Sequence, residues 1–211
     1  MPKYFGTDGF RGEANKTLTV EHAFKTGRFI GHYYGKDHRC SVVIGKDTRR
    51  SSYMFEYALV AGLTASGADV SLMHVTTTPC VSYVVRTDDF DCGIMISASH
   101  NPFYDNGIKL FNNKGEKLEE SVILEIEKYI DGEYPEIPLA ERDDIGCATD
   151  YSAGRNRYIG YLISLAVYSL KGKRIGLDCA NGSSFNIAKS VFDALGAKTY
   201  VINNDPDGLN I

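Results

Sequence analysis

The sequence predicts an α/β protein made of one full α/β unit and the start of a related second one. Three observations carry that reading. Short apolar, β-branched runs alternate with segments of helical spacing along most of the 211 residues. Gly-, Pro- or Asn-containing turns punctuate the alternation. One arrangement also occurs twice. Ile44-Gly45-Lys46-Asp47 leads through a helix to Gly67-Ala68-Asp69-Val70, and Ile175-Gly176-Leu177-Asp178 leads through a helix to Gly196-Ala197-Lys198-Thr199. The copies are not tandem, so they point to two related domains, 1–150 and 151–211, rather than a solenoid.

Taken in order, the elements follow from local chemistry. Gly6-Thr7-Asp8-Gly9-Phe10-Arg11-Gly12 is a glycine-rich opening loop. Arg11 presents a planar fork suited to phosphate or carboxylate, and its plainer reading is a solvated side chain. Thr19 is the expected N-cap of a helix over 20–34, with Val20, Ala23, Phe24, Gly27, Ile30, Gly31 and Tyr34 on its buried face. Residues 41–45 read as a short strand. Lys46 to Ser52 form a charged turn that could bind an anion at a helix N-terminus, although capping by Ser51 or Ser52 is the preferred role. The following helix turns Phe55, Ala58, Leu59, Gly62 and Leu63 inward and ends near Gly67. Residues 69–73 read as a strand. Thr76-Thr77-Thr78-Pro79 opens another helix, with Pro79 suited to its first turn.

Strands are expected over 92–96 and 107–111, then a turn over 112–115 and a helix over 118–130 carrying Ile123, Ile126 and Ile130 on one side. Residues 131–150 are Pro- and acid-rich without sustained period and read as an interdomain linker. Helical spacing returns over 151–170. A strand over 173–179, the turn Ala180-Asn181-Gly182-Ser183-Ser184, a helix ending at Gly196 and a strand over 197–202 complete the pattern. The last residues read as a loop. Two strands and two helices make a poor independent core, so the chain is expected to be part of a longer protein.

Composition narrows the function classes. Apolar content of 43% and charged content of 24% are ordinary for a globular chain that needs no disulfide staples. A net charge of −4, with Lys and Arg scattered, gives no basis for nucleic-acid binding. The five cysteines, at 40, 80, 92, 147 and 179, contain no C-x-x-C pair. They are expected to be reduced thiols, mostly small core residues, of a cytoplasmic protein. Met1 to Phe5 show no signal-peptide core, and no apolar run reaches bilayer length.

The chain's chemistry concentrates at Ser97-Ala98-Ser99-His100-Asn101-Pro102. This stretch follows the apolar run 92–96, so Ser99 falls at the carboxyl edge of a strand, where open α/β sheets place ligands. Pro102 biases Asn101 to an extended conformation, leaving Ser99 and His100 on a stiff, exposed turn. The next strand could bring Lys109 back toward the serine. A serine beside histidine and lysine invites a nucleophile. On local sequence alone, a polar turn with a solvated histidine explains the stretch better, because Ser and Asn are default turn residues.

Four segments together resemble the α-D-phosphohexomutases, in that family's order and along the whole chain. They are Gly6 to Gly12, Ser97 to Pro102, Asn106-Gly107-Ile108-Lys109, and Asp178-Cys179-Ala180-Asn181-Gly182. Phe103 to Gly107, Tyr4 to Gly9 and Pro206 to Ile211 are most similar to the family's amino-sugar branch, with Phe10 where isoleucine is more usual. The resemblance implies a first domain of mixed sheet with flanking helices and an incomplete second one. It implies interconversion of glucosamine 6-phosphate and glucosamine 1-phosphate. Ser99 would carry a phosphoryl group, give it to the sugar, and regain the other one once the bisphosphorylated intermediate has reoriented. Mg2+ would contact the phosphate on Ser99, with glucose or glucosamine 1,6-bisphosphate as activator. Lys109 and Arg11 would supply countercharge, Lys109 could also move the sugar hydroxyl proton, and His100 would orient the loop or assist that transfer.

The family's Asp-Gly-Asp-Gly-Asp-Arg metal loop does not occur here, and Asp205-Pro206-Asp207-Gly208 differs from it in its proline and spacing. The 211 residues alone are therefore expected to lack mutase activity. A phosphomannomutase or phosphoglucomutase of the same superfamily, or a non-catalytic phosphosugar-binding module, are the alternatives. Apolar surface on the unfinished unit makes a concentration-dependent homodimer a further expectation.

Overall fold

The apolar runs of the first unit become strands of one sheet because their alternate positions meet two separate cores. A computed structural model describes residues 2–211. Its first part runs β1 (Phe5–Gly6), β2 (Gly9–Glu13), α1 (Val20–Tyr34), β3 (Ser41–Lys46), α2 (Arg50–Thr64), β4 (Asp69–Val75), α3 (Thr78–Thr87), β5 (Cys92–Ile96), β6 (Asp105–Asn112), α4 (Glu120–Asp131) and β7 (Ala148–Asp150). The second part is α5 (Ser152–Ser164), β8 (Arg174–Asp178), α6 (Phe185–Ala194) and β9 (Lys198–Ile202). Seven strands form a mixed sheet in the order β1-β2-β6-β5-β3-β4-β7, and β8 and β9 pair separately. The neighbours β5, β3, β4 and β7 run parallel, while β6, β2 and β1 are added antiparallel.

Val42, Ile44, Cys92, Ile94, Ile96, Ile108 and Leu110 face one side of this sheet, with α1, α2 and α4. Val43, Met73 and Met95 face the other, where α3 and α5 cover them. The chain leaves β3 through α2 to reach β4 on one side, then crosses back through α3 to β5 on the other. The strand order therefore reverses between β3 and β5, and their carboxyl ends open the crevice where doubly wound sheets place ligands. The amino terminus is held in the sheet by Glu127. Its carboxylate accepts the backbone N–H groups of Lys3, Tyr4 and Phe5 at 2.7–2.8 Å.

Helix α1 has the expected bounds, and Thr19 caps it through the amide of His22. Its buried face differs from the expected one. Val20 and Phe24 are exposed, while Thr26, Arg28 and Phe29 are buried. Two helices, α2 and α4, pack on α1 and widen its buried arc. Arg28 is satisfied there by the carbonyls of Ala65, Ile137 and Pro138. At the α1–α2 crossing, a Cβ on Gly62 would lie 2.9 Å from the Arg28 amide nitrogen and closer still to the Phe24 carbonyl oxygen. Alanine gains about 1 kcal/mol of helix propensity over glycine, whereas overpacking costs about 1–3 kcal/mol. Both obstructing atoms are backbone, so the second effect wins. We expect Gly62→Ala to lower the urea midpoint, and an unchanged midpoint would contradict this packing.

The stretch 131–150 is strapped to the sheet rather than hanging free. Ile137 is buried, the Ala140 amide donates to Ala65, the Gly146 amide donates to Thr64, and β7 extends the sheet beside β4. Its lack of periodicity reflects backbone pairing at an edge, which needs no apolar alternation. The helix expected over 151–170 stops at Ser164, and Leu165, Val167 and Tyr168 are exposed. Helix α5 packs Tyr158 and Leu162 into the core beneath α3. The β8–α6–β9 unit is a parallel strand–helix–strand like β3–α2–β4, as the repeated sequence pattern anticipates.

All five cysteines are free, four buried and Cys147 exposed. Burial raises the Cys40 and Cys92 thiols far above their ordinary range and Cys80 to about 11, so these three are unreactive packing groups. No helix among the described residues is long and apolar enough to cross a membrane.

Candidate active site

Strand β5 ends at Ile96, and the Ser97 amide continues the ladder to the Gly107 carbonyl at 2.8 Å. The chain then turns. Ser99 has a φ of 59°, a left-handed conformation uncommon for a residue with a Cβ. Its amide donates to the Ser97 hydroxyl at 3.0 Å, and the Asn101 amide donates to Ala98 at 3.1 Å. Ser99 and His100 are exposed, and Ser99 Oγ lies 3.4 Å from His100 Nδ1. The serine is presented, as expected, on a turn at the carboxyl edge.

Lys109 and Arg11 arrive by register. Lys109 pairs with Met95 across β5–β6, and Arg11 pairs with Gly107 across β2–β6. Paired residues of an antiparallel ladder share a face, so Arg11, position 107 and Lys109 lie on the same side of the sheet. A Cβ at 107 would stand 3.0 Å from Arg11 Cγ and 2.7 Å from the Ser97 carbonyl oxygen. Only glycine lets the arginine cross there. Burial, and then the neighbouring Arg11 charge, hold the Lys109 ammonium below its ordinary pKa. Arg11 approaches Asp8 at 3.6 Å, and its buried Nε has no partner among the described residues.

Ser99, His100 and Lys109 line one cleft of about 500 Å³, whose other wall includes Gly182, Ser183 and Ser184. Arg11 does not line this cleft and reaches it electrostatically, as the neighbour of Lys109. The second unit is fastened across the cleft by the Thr48 hydroxyl, which donates to the Asn181 carbonyl at 2.7 Å. The Arg50 amide also donates to the Gly208 carbonyl at 3.3 Å.

The turn after β3 departs from its expected role. Helix α2 starts at Arg50 with no side-chain cap. Instead the Ser52 hydroxyl donates to Asp47 Oδ1 at 2.7 Å, and Asn106 Nδ2 donates to the hydroxyls of Ser51 and Ser52 at 2.8 and 3.0 Å. Both serines bind this turn to β6. Arg49 is fully buried, and its guanidinium reaches the backbone of the Ser99 turn. In the sequence Arg49 is one residue of a charged turn, with little to single it out. The only local signal is an Asp two residues before it, just beyond a buried strand.

Lys46 and Glu56 form a buried ion pair beside this turn, with the Lys46 ammonium 3.8 Å from the Tyr53 ring centre. Glu56 Oε1 has no partner among the described residues, and neither residue lines the cleft. Breaking a buried pair strands a charge and costs about 3–5 kcal/mol, whereas replacing both partners with apolar groups is often neutral. Lys46→Met should therefore lower thermal stability sharply, and Lys46→Met/Glu56→Leu should recover most of it. Equal melting temperatures for the single and double variants would contradict this.

The family model for phosphoglucomutase/phosphomannomutase, alpha/beta/alpha domain I, matches residues 2–136. The phosphoglucosamine mutases of Lachnospira eligens and Lachnoclostridium phytofermentans are 74% and 73% identical over the whole of this chain, which covers 48% and 47% of their lengths. The chain thus spans about half the length of these curated relatives. A solved phosphoglucomutase/phosphomannomutase family protein from Burkholderia thailandensis superposes with a TM-score of 0.80 at 25% identity, covering 97% of this chain and 44% of that one. A putative phosphomannomutase from Thermus thermophilus does so with a TM-score of 0.79 at 25% identity, covering 99% and 48%.

Proposed function

The chain belongs to the phosphoglucomutase/phosphomannomutase family, and from that membership we propose that it provides the phosphoserine half of a mutase interconverting glucosamine 6-phosphate and glucosamine 1-phosphate. The observation that carries this reading is the exposed Ser99 hydroxyl, turned into the cleft that Lys109 and His100 also line. The names of the relatives from L. eligens and L. phytofermentans support the choice of sugar. We assign residues 1–150 to the domain bearing the phosphoserine and 151–211 to the start of the next. On this reading the cytoplasm is where the protein works.

In the proposed cycle a sugar hydroxyl oxygen attacks the phosphorus held on Ser99. The bond from phosphorus to Oγ breaks, and the hydroxyl proton passes to a base. The bisphosphorylated sugar turns over, and Ser99 Oγ attacks its second phosphorus; the bond from that phosphorus to the sugar oxygen breaks, and the base returns the proton to that oxygen, releasing the isomeric monophosphate. The transition state is loose, so the protein's work is positioning and charge neutralisation. Lys109 supplies the near countercharge and Arg11 the farther one. Lys109 does this as the ammonium, and burial lowers the pH at which that charge is lost. His100 orients the Ser99 oxygen. A free bisphosphorylated sugar could load Ser99 and so act as activator.

Mg2+ is part of the same proposal, but these residues do not make a complete site for it. Asp47, the carboxylate lining the cleft, is occupied by Arg49 and Ser52, and no cluster of three His, Cys, Asp or Glu among the described residues is arranged to hold an ion. Only phosphoryl oxygens on Ser99 would reach a metal from this chain, and no step here is routed through one. Exposed Leu165, Val167, Tyr168 and Ile202 support self-association of the isolated chain, which sedimentation at increasing concentration would test.

The deciding assay uses the intact gene product that contains these residues. Glucosamine 6-phosphate should be converted faster than glucose 6-phosphate or mannose 6-phosphate, and the 211-residue chain alone should convert none of them. Preference for either neutral sugar would replace the amino-sugar reading. Binding without turnover by the intact gene product would favour a phosphosugar-binding module.

A further inference from the structure

We propose that Arg49 is a positioning residue for phosphoryl transfer, holding the Ser99 turn in shape from behind and joining it to the second unit. The inference rests on the reading of Ser99 as the phosphoryl carrier. Arg49 is 0% exposed, and its side chain has five N–H donors. Each has one acceptor. Nε donates to Asp47 Oδ2 at 2.8 Å. Nη1 donates to the carbonyls of Pro102 and Asp105 at 2.5 and 3.1 Å. Nη2 donates to the carbonyls of Ser99 and Asn101 at 3.0 and 2.9 Å. Four of the five bonds thus fall on the backbone of residues 99–105, the turn that presents the serine.

These contacts select a conformation. A carbonyl oxygen is placed by φ and ψ, so four carbonyls converging on one planar fork restrict the dihedrals of the whole turn. Ser99 sits in the left-handed region, which persists only where its surroundings over-determine it. Charge-assisted bonds from a buried guanidinium supply that constraint. The fork is aimed in turn by Asp47. Its Oδ1 accepts the Arg49 amide at 3.0 Å and the Ser52 hydroxyl at 2.7 Å, leaving Oδ2 for Nε. Lysine could keep the charge, but three donors on a single point cannot serve five acceptors arranged around a plane.

The residues on either side of Arg49 face the other way. Thr48 donates through its hydroxyl to Asn181, and the Arg50 amide donates to Gly208. Gly208 has a φ of 87°, and a Cβ there would meet Arg50 Cγ at 2.7 Å, so the approach is close. One short turn therefore grips the serine loop and the second unit together. The cleft wall formed by Gly182 to Ser184 is fixed relative to Ser99 through it.

Arg49→Lys tests this in two ways. In the intact gene product, kcat for the sugar phosphate should fall about 100-fold, as expected when a reacting group loses its alignment, while KM changes little. In the 211-residue chain, amide exchange at Asn101 and Asp105 should accelerate while Ile94 and Ile108 stay protected. The Lys46→Met/Glu56→Leu variant disturbs the neighbouring buried pair without touching the turn, and should leave both readouts near wild type. Asp47→Asn keeps the side-chain shape but removes the charge and one acceptor, so Nε loses its partner, and it should show a smaller version of the Arg49→Lys pattern even if Arg49→Lys does not fold. Wild-type kcat in Arg49→Lys, or lost kcat with unchanged exchange at Asn101 and Asp105, would overturn the proposal. A wild-type protein that transfers no phosphoryl group would sink the functional reading instead, and the exchange pattern would still decide whether Arg49 holds the turn.

Discussion

Ser99→Ala in the intact gene product should lose sugar-phosphate turnover by about 10⁴-fold or more, the scale seen when a nucleophile is removed. The side chain is exposed, and its hydroxyl makes one long contact, to His100 at 3.4 Å. Its removal should leave folding within about 0.5 kcal/mol of wild type. Ser99→Gly sharpens the test. Glycine adopts a positive φ without the Cβ penalty, so this variant should be at least as stable as wild type and equally inactive. Mass spectrometry after incubation with a bisphosphorylated sugar should find the phosphoryl adduct on wild type and not on either variant. An adduct on Ser99→Ala, or turnover within tenfold of wild type, would remove Ser99 from the mechanism.

Lys109→Met should lower kcat by about 10²–10³-fold, the cost of deleting one preorganised charge from a transition state. Stability should move the other way. Burial and Arg11 depress the Lys109 pKa in the folded protein, so at neutral pH the ammonium opposes folding. That penalty is present below the folded pKa and fades as pH rises from there toward the ordinary lysine value near ~10.4. Methionine removes it, so the variant should unfold at equal or higher urea than wild type. The same shift fixes the pH profile. Activity that needs the ammonium should fall on an alkaline limb lying below ~10.4. Arg11→Met should move that limb upward by removing a like charge, while lowering the rate. A limb that stays in place in Arg11→Met would show that the two side chains do not sense each other. Full activity in Lys109→Met would make its burial a packing feature only.

How far the sequence could be read depended on the range of the interactions. The bounds of α1 follow from Thr19 and the spacing after it, both local, and were legible. So was the Ser99 turn, because Pro102 acts on the residue beside it. The repeated strand–helix–strand pattern was legible because each copy closes within a few turns of chain. The buried face of α1 was not. Whether Val20 or Phe29 is inside depends on α2 and α4, which reach α1 from different parts of the chain. Strand β7 was hidden for a similar reason, since its only ladder is to β4, which lies far earlier in the chain.

Arg49 shows the division most clearly. Read locally, Lys46 to Ser52 is a charged turn before a helix, and Ser51 or Ser52 is a sensible cap. In the fold, the acceptors of the arginine on the serine turn lie 50 to 56 residues away, and the two serines bind Asn106 and Asp47 instead. The residue types that can carry phosphoryl chemistry were written in the chain: Ser99, His100, Lys109 and Arg11. Their orientation came from sheet register, from Gly107 opening a path for Arg11, and from a buried guanidinium bonded to distant carbonyls. Local propensity selects residue types and short-range turns. Only long-range packing decides where a backbone carbonyl points, because that direction depends on every strand paired between the two ends of the bond.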